Sequence, residues 1–166
     1  CSGFDTIYGE EIQDVGRLIE EADFAAGKGS YSSYEIIGPY IDTITGHIKI
    51  IPGIKVGFDA GNGTAGPVGT KILRSLGCEV HDLYCDMDGS FPNHEPDPTV
   101  LDNMKDLIQE VRKHNLNLGI GVDGDGDRIG VVDGSGNIVF GDMLLLIFAR
   151  DILAENPGAT IISEVK

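Results

Sequence analysis

The sequence is short of positive charge. Its 166 residues carry 12 Lys and Arg against 27 Asp and Glu, for a formal net charge of −15. Nucleic acid and anionic membrane surfaces are held by Lys and Arg, so this balance argues against both as direct partners and suits divalent cations. Long apolar runs are missing too. Nothing approaches the roughly 18 apolar residues of a membrane span, and no leader pattern opens the sequence. Cysteine is scarce: Cys1, Cys78 and Cys85 are an odd number without C-x-x-C spacing. A disulfide framework is therefore not expected, and a reducing cytoplasm is the simpler setting. No Ser-His-Asp or G-x-S-x-G arrangement is visible. His47, His81 and His114 share no obvious site with His94, so the sequence gives a histidine-based metal or catalytic triad no support.

At 41% hydrophobic, the chain can bury a core and is too apolar for a disordered acidic polymer. Its length allows one ordinary domain, or one domain plus an appendage. Glycine, at 24 residues, is about twice its usual share of ~7%, so turns and loops should carry information.

Cys1–Tyr8 reads as a strand or the end of one. A helix follows, with Glu10 and Glu11 in its first turn and Ile12, Val15, Leu18, Ile19 and Ala22 on one face. Ala25–Tyr34 is small, polar and Gly/Ser-rich, a linker signal. Ile37, Tyr40, Ile41 and Ile44 mark a second helix within Ile36–Ile50, where the main domain is expected to begin. From Ile54 onward, strand, loop and helix alternate. Strands are expected over Ile54–Asp59, Glu79–Tyr84 and Leu116–Val122. One helix opens at Pro67. Another, capped by Asp97 or Thr99, carries a stripe of Leu101, Met104, Leu107, Ile108 and Val111. Ile129–Val132 and Ile138–Phe140 flank a turn and read as a hairpin, Asp142 opens an apolar helix, and Ala159–Lys166 reads as a last strand. The alternation implies a three-layer α/β/α domain whose sheet is mostly parallel, with one antiparallel hairpin. Strand-like segments at both ends, and Cys1 rather than Met in first place, give the reading of a piece of a longer protein.

The sharpest signal is Val122-Asp123-Gly124-Asp125-Gly126-Asp127-Arg128. Three carboxylates at alternate positions of a Gly-spaced loop, just after a buried strand, can converge on one point. Their oxygens suit a hard divalent cation, and Mg²⁺ commonly retains open positions; without a cation they repel. A solvated acidic turn is the plain alternative. A calcium-binding EF-hand also begins D-x-D-x-D, but here its sixth position is Arg128 instead of Gly, and its twelfth is Gly134 instead of Glu. Arg128 fits a phosphate ligand beside a metal, or a neutraliser of the neighbouring acids.

Gly61-Asn62-Gly63-Thr64-Ala65-Gly66 matches G-x-G-x-x-G between strand and helix, and Asp82 follows Gly61 by 21 residues. A dinucleotide-binding domain is legitimate on that pattern. Against it, Asp82 falls inside its strand and the aspartate triplet is left unexplained. The favoured reading is a tight turn that packs helix on sheet. Phe91–Pro98 is a stiff loop in which Asn93 and His94 are candidates to support substrate or the metal loop; a surface histidine fits as well. Cys78 and Cys85 flank a strand as packing residues.

Taken together, Asp123–Arg128, Asp59–Gly66 and Asp88–Pro98 occur in the order found in α-D-phosphohexomutases. The chain resembles that family, closest to its bacterial phosphomannomutase/phosphoglucomutase branch, over roughly Gly57–Lys166, with weaker support from Gly9–Ile12. The resemblance implies four domains around a cleft. The first bears a phosphoserine in a Ser-His-Asn-Pro-like loop, the second the metal loop, the third reads the sugar, and the fourth clamps phosphate. Residues 1–35 would be the tail of the first domain plus linker, and 36–166 most of the second. No serine here is followed by His-Asn-Pro, so the resemblance puts the nucleophile upstream of Cys1 and leaves no catalytic residue in this chain. It also implies that Asp123, Asp125 and Asp127 hold one Mg²⁺ and that Arg128 steadies phosphate. The reaction implied interconverts mannose or glucose 1- and 6-phosphates through a hexose 1,6-bisphosphate, which is intermediate and activator. Sugar phosphate and the remaining domains of the same polypeptide are the partners implied.

Overall fold

In the computed structural model, residues 6–163 are described. Residues 1–34 and 35–166 form two compact units. In the first, α1 spans Glu10–Glu20, with Glu10 and Glu11 opening it. It stops short of Ala22, which takes a left-handed φ of 53°. The expected opening strand falls partly on residues 1–5, outside those described; Thr6–Tyr8 have no regular structure.

The second unit begins with α2 (Ile37–His47). The strands β1 (Lys55–Asp59), β2 (Glu79–Leu83), β3 (Leu118–Val122), β4 (Ile129–Asp133) and β5 (Ile138–Val139) form one sheet in the order β2-β1-β3-β4-β5. β1 pairs in parallel with β2 and with β3, so all three end at the same edge. β3 to β4 and β4 to β5 are antiparallel, because the loop Asp123–Arg128 is far too short for a parallel crossover. The α/β class and the hairpin are as the sequence implies, in a mixed sheet.

The helices α3 (Gly66–Ser75) and α4 (Lys105–His114) cover opposite faces. A side chain at Gly69 of α3 would strike the Phe58 ring at 2.6 Å, whereas one at the neighbouring strand residue Gly57 would strike Leu107 of α4 at 2.9 Å. Adjacent strand residues point to opposite faces, so the two helices lie on either side of β1. The alternation Leu118-Gly119-Ile120-Gly121-Val122 serves the same end. A methyl on Gly119 would meet Leu107 and Val111 at 2.9 Å, and one on Gly121 would meet Met104 at 2.9 Å. Glycine therefore lets α4 lie close on the sheet. The core there is Met104, Leu107, Val111, Leu116 and Val132.

Two sequence expectations need correction. Neither Asp97 nor Thr99 caps a helix: a 3-10 turn, Leu101–Met104, precedes α4 and neither element has a side-chain cap. Asp97 Oδ1 instead accepts from the Thr99 N–H and hydroxyl, closing its own turn. The last strand is also missing over 159–163, after α5 (Gly141–Glu155), and residues 164–166 lie outside those described. A strand exists by its ladder, and no described strand pairs with this segment. Among the described residues no helix is long and apolar enough to cross a membrane.

Candidate metal and phosphate site

Three loops meet where the parallel strands end, the edge at which open α/β sheets place ligands. They are 59–66 after β1, the stiff segment 91–98 after β2, and Asp123–Arg128 after β3. Glycines set their spacing. Gly61 takes φ 51°, and a side chain there would strike Pro96 at 2.8 Å; one at Gly63 would strike the Gly124 carbonyl at 2.7 Å. Thr64 donates its N–H to that same carbonyl at 2.9 Å. A methyl on Gly66 would run into the Cys85 carbonyl. The glycine-rich segment is thus occupied in packing loop on loop and helix on sheet. Asp82 lies within β2, bonded to Arg74 at 2.7 Å. These contacts account for the glycines and for Asp82 by packing alone.

The acidic loop is anchored at its first residue. Asp123 is 2% exposed. Its Oδ1 accepts from the Arg128 N–H at 2.9 Å and its Oδ2 from the Arg128 Nε at 2.8 Å. Gly126, at φ 78°, returns its N–H to the Asp123 carbonyl. Asp125 and Asp127 are exposed. One carboxylate oxygen from each of the three aspartates lies within 4.8 Å of the others, so the triplet converges as its spacing implies. Burial works against the charge on Asp123, but the backbone and guanidinium of Arg128 outweigh it and bring the pKa down to about 2. Asp127 moves the other way, raised by the charges of Asp125 and Asp123.

Such a donor set fits a hard divalent cation: three carboxylate oxygens on one side, open solvent on the other, and a repulsion that a cation would relieve. Arg128 also reaches Asp97 Oδ1 at 3.3 Å with Nη1, while staying half exposed. Its neutralising role is plain in these contacts, and its outer edge faces solvent beside the triplet.

The stiff loop brings in a pair the sequence did not join. His94 Nδ1 lies 2.9 Å from the Glu95 carbonyl, which can only accept, so that nitrogen carries a proton. Nε2 lies 3.2 and 3.1 Å from the two oxygens of Asp59, itself 2% exposed at the end of β1. Burial raises the Asp59 pKa against the pull of the Gly61 N–H and His94. Burial opposes the charge on His94, but the Glu95 carbonyl and Asp59 raise its pKa overall. The Nε2–carboxylate contact therefore holds a proton between the two. Asn93 donates to Asn62 Oδ1 at 2.7 Å, and Asn62 donates to the Asp86 carbonyl at 2.8 Å. Asn93 and His94 both brace the glycine-rich loop. From sequence, Asp97 reads only as a helix cap and Asp59 only as the start of a motif, not as site residues; the signal for Asp59 is a charged residue closing a buried strand. Cys85, its thiol pushed up to about 12 by burial, is unreactive packing. His94 shares no site with His81 or His114, which come together with Glu110 instead.

The phosphoglucomutase/phosphomannomutase α/β/α domain II profile matches residues 38–136. The chain belongs to the phosphoglucomutase/phosphomannomutase family. It is 45% identical over 162 residues to a phosphomannomutase/phosphoglucomutase of Pseudomonas aeruginosa, covering 98% of this chain and 35% of that protein. It is 43% identical to a phosphoglucomutase of Neisseria gonorrhoeae, covering 99% of this chain and 36% of that one. A crystal structure of a family protein from Burkholderia thailandensis superposes with a TM-score of 0.84 at 44% identity, covering 92% of this chain and 33% of that one. The chain thus spans about a third of the length of the curated relatives it matches.

Proposed function

We propose that this chain is the metal-holding part of a cytoplasmic phosphohexomutase that interconverts hexose 1- and 6-phosphates, of mannose, glucose or both. The observation that carries the reading is the convergence of Asp123, Asp125 and Asp127 beside Arg128 at the ligand-binding edge of a family fold. The three aspartates would hold Mg²⁺, which when bound withdraws charge from a phosphoryl group in transfer. Asp123 fixes the loop through Arg128. Asp125 and Asp127 present their oxygens outward. Arg128 turns its exposed edge to a phosphate oxygen, where its fork geometry gives direction as well as charge. The Asp59–His94 pair and Asn93 hold the neighbouring loops in place.

The reaction read from the resemblance begins at a phosphoserine. Its phosphoryl group passes to a hexose monophosphate, giving the 1,6-bisphosphate; after reorientation the other phosphate returns to serine. No serine in these 166 residues is followed by His-Asn-Pro. Residues 1–35 are read as the tail of the serine-bearing domain and 36–166 as most of the metal-bearing one; the nucleophile and sugar-reading groups lie in other parts of the polypeptide. Positioned reactants, more than binding alone, give phosphoryl transfer its rate, so the 166-residue chain by itself should not turn over. The test assays the complete protein and this chain in parallel with mannose and glucose 1-phosphates, Mg²⁺ and a hexose 1,6-bisphosphate, detecting the 6-phosphate. Turnover by the complete protein alone is expected. An inactive complete protein overturns the activity, and turnover that tracks the 166-residue chain through purification overturns the placement of the nucleophile.

A further inference from the structure

We propose that His81, Glu110 and His114 form a second metal site, which takes a borderline transition-metal ion of the Zn²⁺ class and clamps β2 to α4. His81 sits at the middle of β2, where its backbone pairs with Gly57. Glu110 and His114 are one turn apart on the same face of α4. A sheet strand and a packed helix therefore supply the donors, so the geometry is held by the fold.

The donors are spaced for one small ion. Bonds of about 2.0–2.2 Å in a tetrahedral shell put neighbouring donors roughly 3.3–3.5 Å apart. Glu110 Oε1 lies 3.0 Å from His81 Nδ1 and 3.4 Å from His114 Nε2, and the three donor atoms lie within 4.8 Å of one another. The imidazole rings are 4.9 Å apart and tilted by 48°, a fan about the shared carboxylate. His81 offers Nδ1 inward and turns Nε2 toward Glu79 Oε1, 3.8 Å away. At that distance Glu79 makes no hydrogen bond to the ring, whose orientation is set by β2 and by Glu110. His81 and Glu110 are half-buried, while His114 is 37% exposed, which leaves room for water at the fourth position.

Two imidazoles and one carboxylate select differently from three carboxylates. Imidazole suits Zn²⁺, Co²⁺, Ni²⁺ and Cu²⁺, and carboxylate oxygen suits Mg²⁺. The two sites can therefore be loaded with different ions. Binding needs imidazole nitrogens free of protons, so affinity falls as pH falls.

The experiment titrates chelator-stripped chain with Co²⁺ as an optical probe, with Mg²⁺ in large excess to occupy the acidic loop. One Co²⁺ per chain is expected, with the visible bands of a four-coordinate ion, displaced by Zn²⁺. Glu110→Gln, which keeps the side-chain shape, and His114→Ala, at the exposed ring, should each weaken Co²⁺ by at least about tenfold; Asp125→Asn should leave its affinity unchanged. In the unsubstituted chain, substoichiometric Zn²⁺ should shift the ring resonances of His81 and His114 and leave those of His47 and His94 in place. No Co²⁺ binding under excess Mg²⁺, equal affinity in both ligand variants, or ring shifts confined to His47 or His94 would each overturn the site and leave a hydrogen-bonded trio.

Discussion

Asp123 and Asp127 stand four positions apart in one loop and experience opposite fields. Asp123 is a buried anion already matched by Arg128, while Asp127 is an exposed anion pushed by its neighbours. The first organises the loop, and the second is where a cation would relieve repulsion. Acid should therefore loosen the loop through Asp123. Its pKa is depressed to about 2 in the fold, below the ordinary carboxylate value of about 3.9. Its contribution to stability is complete above that ordinary value and is lost as pH falls toward 2. Acid denaturation followed by circular dichroism should show a Asp123→Asn variant with a shallower fall in stability below pH ~4 than the unsubstituted chain; parallel curves would count against the Asp123–Arg128 pair as its source. At Asp125 the effect belongs to function. In the complete protein, Asp125→Asn should cut turnover at ordinary Mg²⁺ by at least about tenfold, with unchanged melting, since the residue is exposed and a ligand charge is lost. Normal turnover across a Mg²⁺ titration would remove it from the ligand set. The triplet was legible because its spacing, every second residue between glycines, is local. The Asp59–His94 pair was not: its members are 35 positions apart and meet only once β1 ends under the stiff loop. The same holds for Arg128 and Asp97, 31 apart. The His81–Glu110–His114 cluster likewise forms only when α4, packed over β1 and β3, brings Glu110 within reach of the edge strand β2.

At the scale of elements, periodicity carried the helices and strands from Ile37 to Glu155 because one face of each is buried. The stripe read as Leu101, Met104, Leu107, Ile108 and Val111 spans a 3-10 turn and α4, yet Met104, Leu107 and Val111 are the buried set all the same. Burial follows the face even where the helical pitch changes. The terminal segment failed for the complementary reason. Its β-branched residues have strand propensity, but a strand also needs a ladder partner, and Ile162 is left 87% exposed. Leu107 tests the core directly. It is fully buried, against the glycines of β1 and β3, and those neighbours have no side chains with which to fill a void. Leu107→Ala should cost about 3–5 kcal/mol, toward the upper part of the usual range. Urea denaturation measures it, and a loss below about 1 kcal/mol would mean that α4 settles onto the sheet when the side chain is removed.

Over the whole molecule, apolar surface is distributed unevenly. The core under α4 is closed, whereas α5 exposes Met143, Leu146, Ile147, Phe148 and Ile152 by 45–61% each and buries only Leu144 and Ala149. A helix apolar on most of its circumference has the composition of a buried element. Contiguous apolar surface of this kind is uncommon on a monomer in water, where it drives association. The net charge of −15 opposes such association at low ionic strength, and salt screens that repulsion. The isolated chain should therefore bind an apolar reporter dye strongly in dilute buffer and self-associate as salt is raised. Leu146→Lys combined with Phe148→Lys should remove most of both effects. The melting temperature should move little, because both side chains are already in water and give up little buried area. Dye fluorescence and sedimentation at two salt concentrations make the measurement. If the double variant associates as readily as the unsubstituted chain, the adhesive surface lies elsewhere, and the exposed stripe of Ile12, Val15, Leu18 and Ile19 on α1 is the next to be charged.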